Sequence, residues 1–142
     1  MRVHLEHVVA HPVDRVFAVM SDPSKRPLWQ ENSQQVEVLT PGETRLGTRW
    51  RETIRGIGHL DAEVVGFEPN ALWTEAGSSH GGSGRISVSF HPEGDATRLE
   101  VQVEMKLRGT RRMMEPVLGP MIRHQMPRDL QRLEALLRSP DR

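Results

Sequence analysis

The chain has 142 residues, a length that suits one domain with its own hydrophobic core. Basic and acidic residues number 19 each, and this zero net charge argues against a general nucleic-acid or anionic-membrane surface. Cysteine is absent, so there is no disulfide or thiol chemistry, and a cytoplasmic protein is the simplest expectation. The sequence shows no apolar run that predicts a membrane span and no signal-segment pattern.

The first 30 residues predict a strand followed by two short helices. Residues 2–9 alternate between apolar and polar side chains, which predicts a strand with His7 on its apolar side. The pairs His11-Pro12 and Asp22-Pro23 each place a proline where a helix can begin. The second of these helices is expected to run toward Trp29. Two short helices in tandem between strands are an unusual arrangement.

From residue 35 to residue 107 the sequence predicts six strands joined by turns. The clearest alternation lies at 98–107, where every second residue is apolar and the others are polar or charged. At 59–64 we expect Leu60, Ala62 and Val64 to point inward, unless the register slips by one residue. The segment 77–84 is dense in glycine and serine and is interpreted as a flexible loop. One apolar and one polar face predict an antiparallel sheet that is solvated on one side.

The segment 111–138 is the only stretch long enough and apolar enough for a full-length helix. Pro127 is expected to kink it. The second half carries an apolar stripe typical of a packing helix, formed by Leu130, Leu133 and Leu137. The first half is rich in methionine, a residue that fills irregular space and adapts to variable partners. An ordinary core stripe is the alternative interpretation of these methionines.

This order of elements resembles the helix-grip fold of the START-like (SRPBCC) superfamily, which includes polyketide cyclase/dehydrase, lipid-transport and Bet v 1-type proteins. Short motifs in the right order carry the resemblance: His11-Pro12 with Val16-Phe17, Asp22-Pro23 with Pro27 and Trp29, Gly47-Thr48, Glu68-Pro69 and Thr97-Arg98. The resemblance covers Val3 to Leu137. It implies an α+β fold, with a curved antiparallel sheet of about seven strands wrapped around the C-terminal helix. Residues 1–142 would then form one domain, with 139–142 as a tail.

The resemblance also implies a cavity between the sheet and the first half of the C-terminal helix. The segments 77–84 and 110–120 would frame its mouth. We expect six side chains to form an apolar, polarizable wall around it, suited to a hydrophobic small molecule: Trp50, Phe90, Met105, Met114, Leu118 and Met121.

Three polar residues are candidates for orienting or transforming such a molecule. Glu52 falls on the apolar side of its predicted strand and is the candidate acid or base, unless it lies near the strand end or pairs with an arginine. His7 is a second catalytic candidate, although a lone histidine on an apolar face is usually a core residue. Gln125 could donate a hydrogen bond to a ligand or could be a half-exposed amide.

Three classes of function remain open on this reasoning. The protein could bind an apolar lipid, polyketide or other aromatic compound, or it could be a cyclase/dehydrase that acts on one. It could also be an interaction module of the chaperone-activator kind. The seven histidines are scattered, and nucleotide-binding loops are absent, so we expect neither metal nor cofactor, and no nucleic-acid partner. We expect a monomer or homodimer.

Overall fold

The computed structural model of the protein describes residues 1–139, so the expected tail lies almost wholly outside the described residues. Seven strands form one antiparallel sheet, with the order β1-β7-β6-β5-β4-β3-β2. They are β1 (Arg2–Val9), β2 (Ser33–Val38), β3 (Arg49–Ile54), β4 (Gly58–Glu68), β5 (Leu72–Ser79), β6 (Gly82–Glu93) and β7 (Ala96–Leu107). Neighbours in the chain are neighbours in the sheet except at β1, which pairs with β7.

The helices lie where the proline signals predicted them. Helix α1 (Val13–Met20) follows β1, and a 3-10 turn (Pro23–Lys25) runs into the short helix α2 (Arg26–Trp29). The side chain of Asp22 accepts a hydrogen bond from the backbone of Ser24 and so caps the 3-10 turn. A second 3-10 turn (Gly109–Met114) leads into the long helix α3 (Glu115–Arg138). The predicted helix-grip fold is therefore confirmed.

The register of the strands decides which side chains share the inner face, because directly paired residues point to the same side of a sheet. One inner row crosses five strands and is dominated by small side chains: Trp50, Ala62, Gly77, Gly84 and Met105. Other rows carry larger side chains: Trp73, Val88, Val101 and Leu5 form one, and Phe90, Leu99 and His7 another. We call the part of the interior under the rows of large side chains the closed end. We call the part under the row of small side chains the open end.

Helix α1 and the second half of α3 fill the closed end. Phe17 of α1 packs edge-on against Phe90 and Phe67, with ring centroids 5.0 Å and 5.6 Å apart. Leu130, Leu133 and Leu137 of α3 are buried in the same core, as the leucine stripe predicted.

One sequence-based expectation about the sheet is wrong. The segment 77–84 is not a loop, because Ser78 pairs with Ser83 and Ser79 pairs with Gly82 in a tight hairpin between β5 and β6. Glycine is needed at position 82, where φ is +155° and a Cβ atom would collide with the carbonyl oxygen of Lys106. The inward direction of Ala62 and Val64 is confirmed, since both side chains are buried.

Candidate functional site

Three charged side chains meet in the interior between α2 and the sheet. Arg26 comes from α2, Glu52 from β3 and Glu75 from β5, and all three are almost completely buried. The guanidinium of Arg26 binds Glu75 with both terminal nitrogens, and the distance from Nη1 to Oε2 is 2.9 Å. Glu52 is held more loosely, with 3.5 Å between Arg26 Nη1 and Glu52 Oε1. The two-pronged pair fixes Arg26 and leaves Glu52 with spare hydrogen-bonding capacity.

Two tryptophans complete the hydrogen bonds of this cluster. Trp50 donates its indole N–H to Glu52 Oε1 at 3.1 Å, and Trp73 donates to Glu75 Oε1 at 2.8 Å. Each tryptophan lies two residues before its glutamate on the same strand, so both side chains of a pair point inward. The guanidinium carbon of Arg26 also lies 5.2 Å from the ring centroid of Trp50, a cation–π distance. The two tryptophans therefore bind the charged groups and also shield them from water.

Opposing influences set the pKa of Arg26. Burial is the largest single influence and lowers the pKa of Arg26, because the charged form loses its hydration. The charge of Glu75, its hydrogen bond and the charge of Glu52 act in the opposite direction. Together they hold the pKa of Arg26 above its ordinary value, so the guanidinium stays charged in the interior.

The cluster is not fully satisfied within the protein. Oε2 of Glu52 is buried and has no hydrogen-bond partner among the described residues. Buried charge clusters contribute little net stability, because removing each charge from water costs several kcal/mol. A buried carboxylate with a free oxygen is therefore a feature that function explains better than stability does.

A hollow of about 710 Å³ lies next to the start of α3, where inner-face residues and the outward-facing Arg2, Arg85 and Glu104 line it together. On the inner face it reaches Gly77, Gly84 and Met105, where two consecutive strands carry no side chain. Arg112 and Glu115 line it from the side of α3. A second hollow, of about 640 Å³, lies elsewhere, among polar side chains of β2, β3 and β4 that include Arg51 and Asp61.

The six expected wall residues do not lie in one surface. Trp50 and Phe90 are buried, Phe90 at the closed end beside α1 and Trp50 beside Glu52. Met105 and Leu118 are half-buried. Met114 and Met121 expose 54% and 57% of their surface. Their roles stay predictions, and the exposure of the two methionines shows that the start of α3 and the turn before it stand partly free.

Gln125 and His7 lie apart from Glu52. The side-chain amide of Gln125 donates to Glu31 at 2.8 Å and to Asp129 at 2.9 Å, which ties α3 to the segment after α2. His7 is on the edge strand β1, with four strands between it and the strand of Glu52. A joint catalytic role for Glu52 and His7 would need a ligand that reaches across this distance.

Sequence reasoning found Glu52 but missed two of its neighbours. Arg26 lies in a four-residue helix, and so short an element shows no apolar stripe that would reveal its buried side. Glu75 could have been found, because Trp73-Thr74-Glu75 repeats the Trp-x-Glu spacing of Trp50-Arg51-Glu52. Two Trp-x-Glu segments whose tryptophan and glutamate side chains point inward are a signal for a shared polar cluster.

Other kinds of site were sought over residues 1–139. No helix in this part of the chain is long and apolar enough to cross a membrane. The same residues contain no group of three or more potential metal ligands.

A curved antiparallel sheet gripping a long C-terminal helix defines the helix-grip class, and solved structures share it. The aromatase/cyclase Zhui from Streptomyces sp. R1128 superposes with a TM-score of 0.80 at 16% identity, covering 100% of this chain and 97% of that one. A START superfamily protein from Mycobacterium smegmatis gives 0.77 at 18% identity, covering 95% and 98%. Truncated norcoclaurine synthase from Thalictrum flavum gives 0.70 at 17% identity, covering 96% and 92%. At these identities the likeness establishes the fold alone.

The sequence itself identifies the family. Residues 1–138 match the family described as polyketide cyclase / dehydrase and lipid transport. The chain therefore belongs to this family, in agreement with the resemblance carried by its short motifs. The sequence matches no curated protein.

Proposed function

We propose that the protein binds a hydrophobic small molecule, such as a lipid, a polyketide or another aromatic compound, between the sheet and the first half of α3. The observation that carries the proposal is the pairing of Gly77 with Gly84 on the inner face, beside the hollow of about 710 Å³. The space over the two glycines is bounded by movable side chains: a Cβ at Gly77 would lie 3.1 Å from Leu60 Cδ1, and one at Gly84 would lie 3.3 Å from Met105 Cγ. Family membership supports the same class of function.

The first half of α3 supports this location for the ligand. Leu118 is half-buried, exposed Met121 lies three residues further along α3, and exposed Met114 ends the 3-10 turn just before the helix. Methionine side chains adapt to ligands of different shape at low cost. A ligand that enters here would cover apolar surface that water now contacts, which favours binding.

A fluorescent apolar probe tests the proposal. N-phenyl-1-naphthylamine is uncharged and becomes bright in an apolar site, so titration with protein should give a saturable increase. Leu118→Glu places a charge at the proposed mouth and should weaken binding about tenfold or more. Met113→Glu is the matched control, because Met113 is 80% exposed and already in water. Equal binding by both variants, or no saturable signal from the parent protein, would overturn the proposal.

The free oxygen of Glu52 favours one second candidate, a cyclase/dehydrase that needs no cofactor. In that function Glu52 would take up or release a proton while the buried surroundings of its carboxyl group exclude water. Glu52→Gln keeps the shape and removes the acid/base group. An enzyme should still bind its substrate but lose about two to four decades in turnover, whereas a carrier should keep most of its affinity.

A further inference from the structure

Four buried polar atoms near α2 have no hydrogen-bond partner within residues 1–139. They are Nε of Arg26, the indole nitrogen of Trp29, the hydroxyl oxygen of Ser33 and Oε2 of Glu52. An unpartnered buried polar group destabilises the folded state, so native proteins carry few of them. Four on neighbouring elements leave hydrogen bonds that a molecule from outside the chain, water or a ligand, can complete.

These four atoms belong to one corner of the fold. Arg26 and Trp29 are three residues apart on α2, so their side chains leave the same side of the helix. Ser33 begins β2 and pairs with Ile54 of β3, two residues beyond Glu52, so Ser33 and Glu52 share the inner face. Glu52 in turn contacts Arg26. The corner adjoins the open end, because Trp50 begins the row that contains Gly77 and Gly84.

The donor and acceptor chemistry of the four atoms restricts which ligand group can form their missing hydrogen bonds. The nitrogens of Arg26 and Trp29 only donate hydrogen bonds, the hydroxyl of Ser33 donates or accepts, and the oxygen of Glu52 accepts. A neutral hydroxyl group matches this set, because it donates one hydrogen to Glu52 and accepts from a nitrogen donor. An ammonium group would satisfy Glu52 but has no lone pair for the donors.

The net negative charge of the cluster argues against a third kind of ligand group, a carboxylate. One guanidinium and two carboxylates, from Arg26, Glu52 and Glu75, have formal charges that sum to minus one in a buried cluster. A carboxylate ligand, such as a free fatty acid, would add a second uncompensated negative charge where screening by water is weak. Like charges in such surroundings repel strongly.

We infer that the ligand of this protein carries a neutral hydroxyl, as an alcohol or a phenol does, and that this hydroxyl lies beneath α2 between Glu52 and Trp29. The inference rests on the proposed function and names the class of ligand. It selects hydroxylated lipids or phenolic aromatic compounds over fatty acids and apolar amines.

Four probes that share one flat apolar body separate the possibilities: naphthalene, 2-naphthol, 2-naphthoate and 2-naphthylmethylamine. Calorimetric titration at pH 7 should show 2-naphthol binding about tenfold or more tightly than 2-naphthoate, which corresponds to about 1.4 kcal/mol. It should also bind more tightly than naphthalene and the amine.

Variants then assign the preference to the corner beneath α2. Glu52→Gln removes one negative charge and should bring 2-naphthoate to within about threefold of 2-naphthol. Asp61→Asn removes the same charge from an exposed side chain and should leave the ratio unchanged. Trp29→Phe removes one donor and should weaken 2-naphthol about three- to tenfold, with naphthalene unaffected. Circular dichroism confirms that each variant is folded.

The outcomes separate this inference from the proposed function. Stronger binding of 2-naphthoate or the amine overturns the hydroxyl assignment and leaves the apolar site standing. Equal binding of naphthalene and 2-naphthol means that water alone completes the four atoms, which also overturns it. If none of the four probes binds, the proposed function and the inference both fail.

Discussion

The two ends of the interior are built differently, although one helix spans both. At the closed end Leu130 and Leu133 of α3 are fully buried in the core that also holds Phe17. At the open end the sheet offers Gly77 and Gly84, while Met121 of α3 and Met114 just before it are exposed. The comparison teaches that the stability of this fold is concentrated in one half of the interior. The other half is then free to accept a molecule of variable shape.

The largest effect is expected at the buried charges between the two ends. Arg26→Met removes the only cation that touches Glu52 and Glu75 among the described residues, and it leaves two buried carboxylates uncompensated. We expect a loss of about 3–5 kcal/mol in the free energy of unfolding, measured by urea denaturation. The control is Arg51→Met, which breaks the exposed pair with Asp61 and should cost about 0–1 kcal/mol. Equal losses would show that the cluster is not an electrostatic unit.

The next effect compares the two halves of α3 directly. Leu133→Ala should cost about 2–5 kcal/mol, because it opens a cavity in a fully buried site. Met121→Ala should change stability by about 0.5 kcal/mol or less, since more than half of that side chain already contacts water. A loss at Met121 as large as that at Leu133 would mean that the open end is packed core.

Amide exchange should resolve the same contrast along the backbone. Residues 99–103 of β7 and 130–137 of α3 should exchange only through global unfolding, because they carry the buried core. Residues 110–118 should exchange many times faster through local opening. The segment 77–84, once expected to be equally mobile, should instead be protected except at the turn His80-Gly81, because its strands are paired. Uniform protection of 77–84 and 110–118 would contradict a mobile start of α3.

The smallest effect concerns pH and the contact between α3 and the segment after α2. Burial is the largest influence on the pKa of Asp129 and raises it above the ordinary value of 3.8. A raised folded-state pKa contributes stability that is complete below pH 3.8 and is lost as pH rises through the folded-state pKa. The stability of Asp129→Asn relative to the parent protein should therefore increase as pH rises from 3.8. Parallel pH profiles of the two proteins would contradict this.

The fold was accessible from the sequence because its signals are periodic. Alternation at 98–107 places Leu99, Val101 and Val103 in the core, and all three are buried there. Glycine misled the interpretation of 77–84, since the same residue marks a loop and a strand position that must stay open. Periodicity cannot distinguish a loop glycine from such a strand glycine, because the distinction depends on which atoms lie against the strand in the folded protein.

The candidate site was only partly accessible, for a different physical reason. The inward direction of Glu52 follows from strand alternation, but its partner Arg26 depends on how a short helix rotates over the sheet. Gln125 fell on the expected helical stripe, yet its amide donates a hydrogen bond to Glu31, which is distant in sequence. Alternation gives the face of a side chain, whereas its partner depends on tertiary packing.

The pairing of β1 with β7 has a consequence for how the chain is made. Val3 pairs with Val103, about 100 residues later, so the first strand leaves the ribosome long before its partner exists. At roughly 5–20 residues per second, synthesis leaves β1 waiting for roughly 5–20 s. During that time its apolar side, with Val3 and Val9, has neither β7 nor α3 to cover it. Attachment of a chaperone to the nascent chain in this interval would shield a strand that the finished protein buries.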